Sequence, residues 1–180
     1  CAPSTVKVSY NGAPVKLRTP EHFARALGAT TPLASTCVMD RDGVEVLRLC
    51  IGAHDTSTIE EEGREDETAM HTFVNSTPCP DGSHVKYILS KVCDVLEVKA
   101  RAKRGCGAAD VKITPSFIRK HAIVVATVLV DNERFTDQTK RVLDTPVKDY
   151  GWKWEALAPD FVRALERAPF VDRAIEAARQ

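Results

Sequence analysis

No charge of one sign dominates this sequence. Lys plus Arg and Asp plus Glu stand at 25 each, so no global field draws the chain toward nucleic acid or an anionic membrane. Any contact with DNA must come from a local patch. No stretch approaches the ~20 apolar residues of a membrane-spanning helix, and no charged-then-apolar signal segment opens the chain. Glycine-rich phosphate loops are missing, both the Walker type and GxGxxG. There is no HExxH, and His22, His54, His71, His84 and His121 include no pair at metal-ligand spacing, so no metal site is expected. Ser-His-Asp sets can be assembled on paper from many residues and therefore carry no information. These absences leave no self-contained active site.

Cysteine is present but unpatterned. Cys1, Cys37, Cys50, Cys79, Cys93 and Cys106 form no CxxC pair. Cys93 falls in a helical pattern and Cys37 and Cys50 in strand-like runs, so they read as small core residues in a reducing compartment. Three disulfides are the alternative that an even count leaves open, although 180 residues can build a core without them. The composition, 43% hydrophobic and 28% charged, is that of a soluble globular protein with room for one good-sized domain or a domain with an appendage. The chain starts at Cys1 rather than Met and reads as a piece of something larger.

Several elements follow from pattern. "TVKVSYNGAPVKL" alternates at Val6, Val8 and Tyr10 and turns at Asn11-Gly12, a pair that tolerates the positive φ of a tight hairpin. "TPEHFARALG" offers a cap at Thr19, Pro20 at the first helical position and Gly28 as a stop. A second hairpin is predicted about Arg41-Asp42-Gly43, and the acidic run Glu60–Glu67 reads as a solvated loop. "AMHTFVNST" returns to strand character. From Ser83 the apolar residues Val85, Ile88, Leu89, Val92 and Leu96 recur at three and four, one face of a helix of about five turns. Its end is basic, at Lys99, Arg101, Lys103 and Arg104, with a stop at Gly105-Cys106-Gly107. "TPSFIRK" is a short capped helical turn. "HAIVVATVLV" is apolar on both faces and β-branched, as a covered central strand requires. After an irregular "LDTPVKDYGWKWE", two helices close the chain. Strands, a long helix and a further strand give the fold class α/β (α+β), a two-layer sandwich with helices on one face.

Two segments carry chemistry. In "DNERFTDQTKR", residues 131–141, Gln138, Thr139 and Lys140 follow the apolar run directly, and a lysine ammonium suits a terminal phosphate as its bond breaks. In "TFVNSTPCPDGSHVKY", Gly82 and Ser83 precede the long helix, where Ser83 can cap its amides. A solvated turn and a plain helix cap explain each segment taken alone.

Read together, in order and with their spacing, the two segments resemble the transducer domain of type IIA DNA topoisomerases, and most closely that of the eukaryotic and viral topoisomerase II. Thr72–Ser76 and Gly82-Ser83-His84-Val85 with Tyr87 match a phrase like "SFVNS…GGTH" followed by "HV.Y". Lys99–Arg104 match a lysine-rich loop, Ile123–Val130 an apolar strand, and Asn132 through Phe135 to Gln138-Thr139-Lys140 match "NP.F.SQTKE". The opening hairpin and helix and "RVLDTPVKDYGWKWE" resemble that domain too. Asp81, Ser83, Glu133, Arg134 and Arg141 depart from the usual Gly, Thr, Pro, small residue and Glu, and the Glu60–Glu67 run looks like an insertion.

The resemblance implies a β-α-β unit with a left-handed crossover in residues 1–157, and residues 158–180 as C-terminal helices, the last a connecting helix, leading toward a DNA-cleavage core. It implies that Lys140 is the catalytic contact to the γ-phosphate of ATP, with Gln138 and Thr139 in the same ATP-binding loop. Lys99, Arg101, Lys103 and Arg104 are the implied DNA contacts, weak and without base reading. ATP and Mg2+ are cofactors of the full-length enzyme, with none expected on this fragment, which alone should neither hydrolyse ATP nor cut DNA. Implied partners are a GHKL ATPase domain and a Toprim/cleavage core of the same chain, duplex DNA, and a second copy in the full-length homodimer. The implied location is the nucleus or an intracellular viral replication site. Two alternatives stand beside this reading: the corresponding domain of a MutL-type mismatch-repair ATPase, and a free-standing binding module.

Overall fold

The apolar run at 121–130 settles into the middle of a sheet. The structure, a computed structural model, describes residues 9–54, 70–104, 113–155 and 157–172, with only the backbone described at Lys103 and Arg104. Its strands are β1 (Ser9–Tyr10), β2 (Ala13–Pro14), β3 (Ala29–Met39), β4 (Glu45–His54), β5 (Met70–Val74), β6 (Thr77–Pro78), β7 (Asp81–Gly82), β8 (Ala122–Val128) and β9 (Val142–Leu143). Its helices are α1 (Pro20–Ala26), α2 (Ser83–Arg104), α3 (Pro115–His121) and α4 (Pro159–Glu166), with a 3-10 turn at Val147–Asp149. The main sheet runs β3-β4-β8-β5-β6, and β8 pairs antiparallel with β4 and parallel with β5. Because β5 and β8 are parallel neighbours, the chain between them must cross over, and α2 makes that crossing.

Local chemistry explains most of the boundaries. Asn11 and Gly12, at φ 49° and 77°, supply the left-handed pair that closes the β1–β2 hairpin. Thr19 accepts a hydrogen bond from the amide of His22, and Pro20 takes the first helical position of α1. In the β3–β4 turn the Asp40 carboxylate accepts from the amides of Asp42 and Val44, at 2.9 and 2.8 Å. Thr114 caps α3 through the amide of Phe117.

The core has two sides. Val85, Ile88, Leu89, Val92 and Leu96 of α2 are all buried, as their spacing predicts, each contributing roughly 2 kcal/mol of apolar burial. They pack with Leu47, Leu49 and Ile51 of β4, with Val124, Ala126 and Val128 of β8, and with Ile118, Phe161 and Leu165 of α3 and α4. Ile123 and Val125, one residue out of phase on β8, point the other way and join Cys50, Ala24, Phe23 and Leu27. The α/β class holds, but helices do not keep to a single face: α1 covers the side opposite α2. A seven-residue helix carries too little periodicity to announce this.

Cys37 also corrects an expectation. It is exposed on the edge strand β3, whereas Cys50, Cys79 and Cys93 are buried free thiols. Burial pushes the thiol of Cys50 up to about 12 and that of Cys93 to about 11, so neither is a nucleophile at neutral pH. The acidic run Glu60–Glu67, Val6, Val8, Cys1, Cys106 and the final helix beyond residue 172 lie outside the described residues.

Candidate functional site

At the C-terminal end of β8 the chain leaves the sheet and returns as β9, and the bend between carries Gln138, Thr139 and Lys140. The base of this bend is laced together. Phe135 bridges Leu143, the amide of Thr136 donates to Val142 O at 3.1 Å, and the amide of Asp144 donates to Arg134 O at 2.8 Å. The amide of Arg134 donates to the hydroxyl of Thr145 at 2.7 Å. Residues 136–141 at the tip are all exposed.

The tip has a defined shape because Asp137 caps it. Its carboxylate accepts from the amide of Thr139 at 2.8 Å and from that residue's hydroxyl, an Asx turn built on "DQT". The Thr139 hydroxyl, then the Thr139 and Lys140 amides, hold the Asp137 carboxyl below the usual carboxylate range. Lys140 follows in the left-handed region, at φ 56°. Its ammonium lies 5.4 Å from the centroid of Phe135, over the ring, and makes no ion pair among the described residues. A cation is thus presented at the tip of a fixed bend without a carboxylate to neutralise it. Such a group can meet an anion brought from outside the chain.

The return arm of the bend docks onto the start of α2. Strand β9 pairs in parallel with β7, which runs straight into the helix, and the amide of Asp81 donates to Arg141 O at 3.2 Å. Gly82 has φ 128°, and a Cβ placed there would lie 2.4 Å from both the amide nitrogen and the carbonyl oxygen of Leu143. Only glycine permits this approach. Arg119 of α3 pairs with Asp81 at 3.2 Å. Ser83, a candidate cap in the sequence, uses its hydroxyl for tertiary contact instead. It donates to Thr145 O at 2.6 Å and sits 2.7 Å from the hydroxyl of buried Tyr150.

Two further clamps steady this end of the sheet. Asn75 accepts from the amide of Val130 and donates to its carbonyl, at 3.0 and 2.9 Å, joining the ends of β5 and β8. His84 is buried, with Nε2 3.0 Å from both Thr72 Oγ1 and Cys79 O. Burial pulls its pKa down to about 4, so it is neutral at pH 7.

The basic segment is differently disposed. It is the last stretch of α2 rather than a loop, because the helix continues to Arg104. Lys99 is paired with Glu166 of α4 at 2.9 Å, and Arg101 with Glu97 at 3.3 Å. Glu97 also accepts from the amide of Ile113 at 3.1 Å. Of the four cations, Lys99 and Arg101 are already engaged, and the side chains of Lys103 and Arg104 lie outside the described residues. Among the described residues no group of three His, Cys, Asp or Glu side chains is placed to hold a metal, and no helix is long and apolar enough to cross a membrane.

The family model of DNA gyrase B matches residues 62–178, which takes in β5, α2, β8 and the whole bend. The chain belongs to the DNA gyrase B family. Curated relatives match as well: DNA topoisomerase 2 of Penicillium chrysogenum is 31% identical over 110 residues, 61% of this chain and 7% of that protein. DNA topoisomerase 2 of Candida albicans is 32% identical over 104 residues, 57% of this chain and again 7% of the relative. The ATPase and transducer domains of DNA topoisomerase II from Balamuthia mandrillaris superpose with a TM-score of 0.69 at 20% identity, over 96% of this chain and 39% of that one. The ATPase region of Saccharomyces cerevisiae topoisomerase II gives 0.67 at 18% identity, over 94% and 39%. At those identities the likeness is one of fold, and it agrees with the transducer resemblance that the two sequence phrases carry. This gyrase B family chain spans about 7% of the length of the relatives it matches.

Proposed function

We propose that this chain is the transducer region of an ATP-dependent type II DNA topoisomerase, and that Lys140 is its contact with the γ-phosphate of ATP. The observation that carries the reading is the capped, exposed bend 136–141 with an un-neutralised ammonium at its tip. Asp137 and Thr139 set the turn, Gln138 stands beside Lys140 to hold the loop against a nucleotide, and Lys140 swings from Phe135 toward the anion. The family membership supports an ATPase domain of the parent chain as the source of that nucleotide.

When bound, ATP with Mg2+ supplies the transferable phosphoryl group. Lys140 places positive charge where negative charge develops as the bond to that group breaks. A two-position bend, docked on nucleotide or withdrawn, then reports which nucleotide is present, and the domain hinge follows it. In this reading the parent enzyme works as a homodimer on duplex DNA, in the nucleus or at an intracellular viral replication site, with ATP turnover and cleavage belonging to other domains. DNA contact through the end of α2 requires Lys99 to exchange Glu166 for phosphate.

The test is Lys140→Ala in the full-length enzyme, with ATP turnover and decatenation measured together. Both are expected to fall while the fold of this region persists. Near-normal ATP turnover overturns the assignment.

A further inference from the structure

The bend 136–141 has two arms, and they are not equally free. The outgoing arm continues from β8, the central strand of the main sheet, and Val130 is gripped by Asn75 on both its backbone groups. That arm cannot shift without dragging β5 and β8 with it. The return arm is β9, two residues long and outside the main sheet; it pairs with the two residues of β7 and is bridged at Leu143 to Phe135 of the outgoing arm. Displacement of the tip therefore passes more readily along the return arm, which no main-sheet strand holds.

What the return arm touches is the first turn of α2. Gly82 lets Leu143 approach backbone to backbone, and Ser83 reaches two residues further, donating to Thr145 O while the buried Tyr150 hydroxyl donates to Ser83. From there α2 carries on, about 24 Å along the helix from Ser83, to the Lys99–Glu166 ion pair with α4. Halfway along no joint interrupts it, and Tyr87 fastens it to Trp154 through the Trp154 amide at 3.1 Å. One rigid element thus connects the bend to α4, which packs in the same core layer.

We propose that the Ser83 hydroxyl, held between Thr145 O and Tyr150, is the latch that passes movement of the Lys140 bend into helix α2. Ser83 and Tyr150 are positioning residues for coupling: they touch no nucleotide, and they decide whether a shift of β9 becomes a shift of α2 or is lost in the loop. The inference rests on the reading of Lys140 given above.

The experiment uses the full-length enzyme and counts strand passages per ATP hydrolysed, a ratio that partial unfolding leaves unchanged because it lowers both terms alike. Ser83→Ala removes both hydrogen bonds of the latch and Tyr150→Phe removes one. Each is expected to leave ATP turnover within about twofold and to lower passages per ATP, Tyr150→Phe about fivefold, the weight of one hydrogen bond on a two-state balance, and Ser83→Ala by at least as much. The double variant is expected to be no worse than Ser83→Ala alone, since both act on the same contact, and Ser83→Thr is expected to restore the ratio. An unchanged ratio in both single variants overturns the latch, as does a parallel fall of turnover and passage that Ser83→Thr fails to rescue. Lys140→Ala, assayed alongside, separates the two claims. If it leaves ATP turnover normal, the nucleotide reading has failed; if it lowers turnover while the Ser83 and Tyr150 variants stay coupled, only the latch has.

Discussion

Two cationic regions of this molecule look alike in the sequence and differ in the structure. The bend at 136–141 keeps Lys140 away from every carboxylate of the described residues and mounts it on a base of laced backbone hydrogen bonds. The end of α2 carries more charge but engages it locally, Lys99 with Glu166 and Arg101 with Glu97. Partly solvated pairs of this kind are worth only ~1 kcal/mol each, so they scarcely stabilise the fold. What they change is availability. A cation already facing a carboxylate must give that partner up before it meets a phosphate, whereas Lys140 gives up only a ring face.

The comparison can be broken most severely at the base of the bend. Gly82→Ala forces a methyl into the backbone of Leu143 and is expected to cost this chain ~3 kcal/mol, measured as a lower denaturant midpoint. A midpoint that does not move would mean that β7 and β9 are not closely held. Next comes His84, which anchors the same end. Its pKa is lowered by burial from an ordinary value near 6.5 to about 4, so the unfolded chain binds the extra proton and stability falls as pH drops through that window. Between pH 7 and pH 5 the expected loss is ~2 kcal/mol, absent in a folded His84→Gln variant. Equal pH slopes for the two chains would contradict the neutral, buried imidazole.

The tip itself gives an effect on activity rather than on folding. Lys140→Ala is expected to lower ATP turnover of the parent enzyme by at least about tenfold, with the midpoint of this chain unchanged within about 0.5 kcal/mol. The smallest effect belongs to the helix end. Neutralising Lys99, Arg101, Lys103 and Arg104 together is expected to weaken duplex binding modestly and to flatten its salt dependence by less than four phosphate contacts require, because two of the cations are engaged. Glu166→Gln releases Lys99 and is expected to steepen that dependence. A salt slope indifferent to all five changes would remove this helix end from any DNA contact.

Elements with a strong period or a local cap are legible in the amino-acid sequence alone. Val85 to Leu96 mark the face of α2, Ile123 to Val128 mark a strand covered on both sides, and Thr19-Pro20 and Asn11-Gly12 mark a cap and a turn. Contacts between residues far apart in sequence are not legible in this way. Ser83 meets Tyr150 67 positions away and Lys99 meets Glu166 across the same separation, and no local rule marks either pair. Ser83 therefore reads as a cap and Lys99 as a free cation. Cys37 misleads for a related reason: alternation reveals a strand but not whether it lies at an edge, and β3 does. Around the site, "DQTK" displays the lysine, and the same letters hold the Asx-turn signal of Asp137, which the lysine overshadows. The closeness of Gly82 to Leu143 is hidden, since a glycine looks the same whether it turns a chain or admits a neighbour.

The middle position of β8 also has a bearing on how such a polypeptide is made. β4, which precedes it by some seventy residues, can zip onto β3 as soon as both leave the ribosome, but its other edge must then wait for Ala122–Val128. During that interval an apolar strand such as "VLRLCIGAH" stands with open hydrogen-bonding groups, a template for pairing with another nascent chain. Translation pauses or truncations that fall before β8 should therefore produce insoluble material and a demand for chaperones, whereas those that fall after it should not.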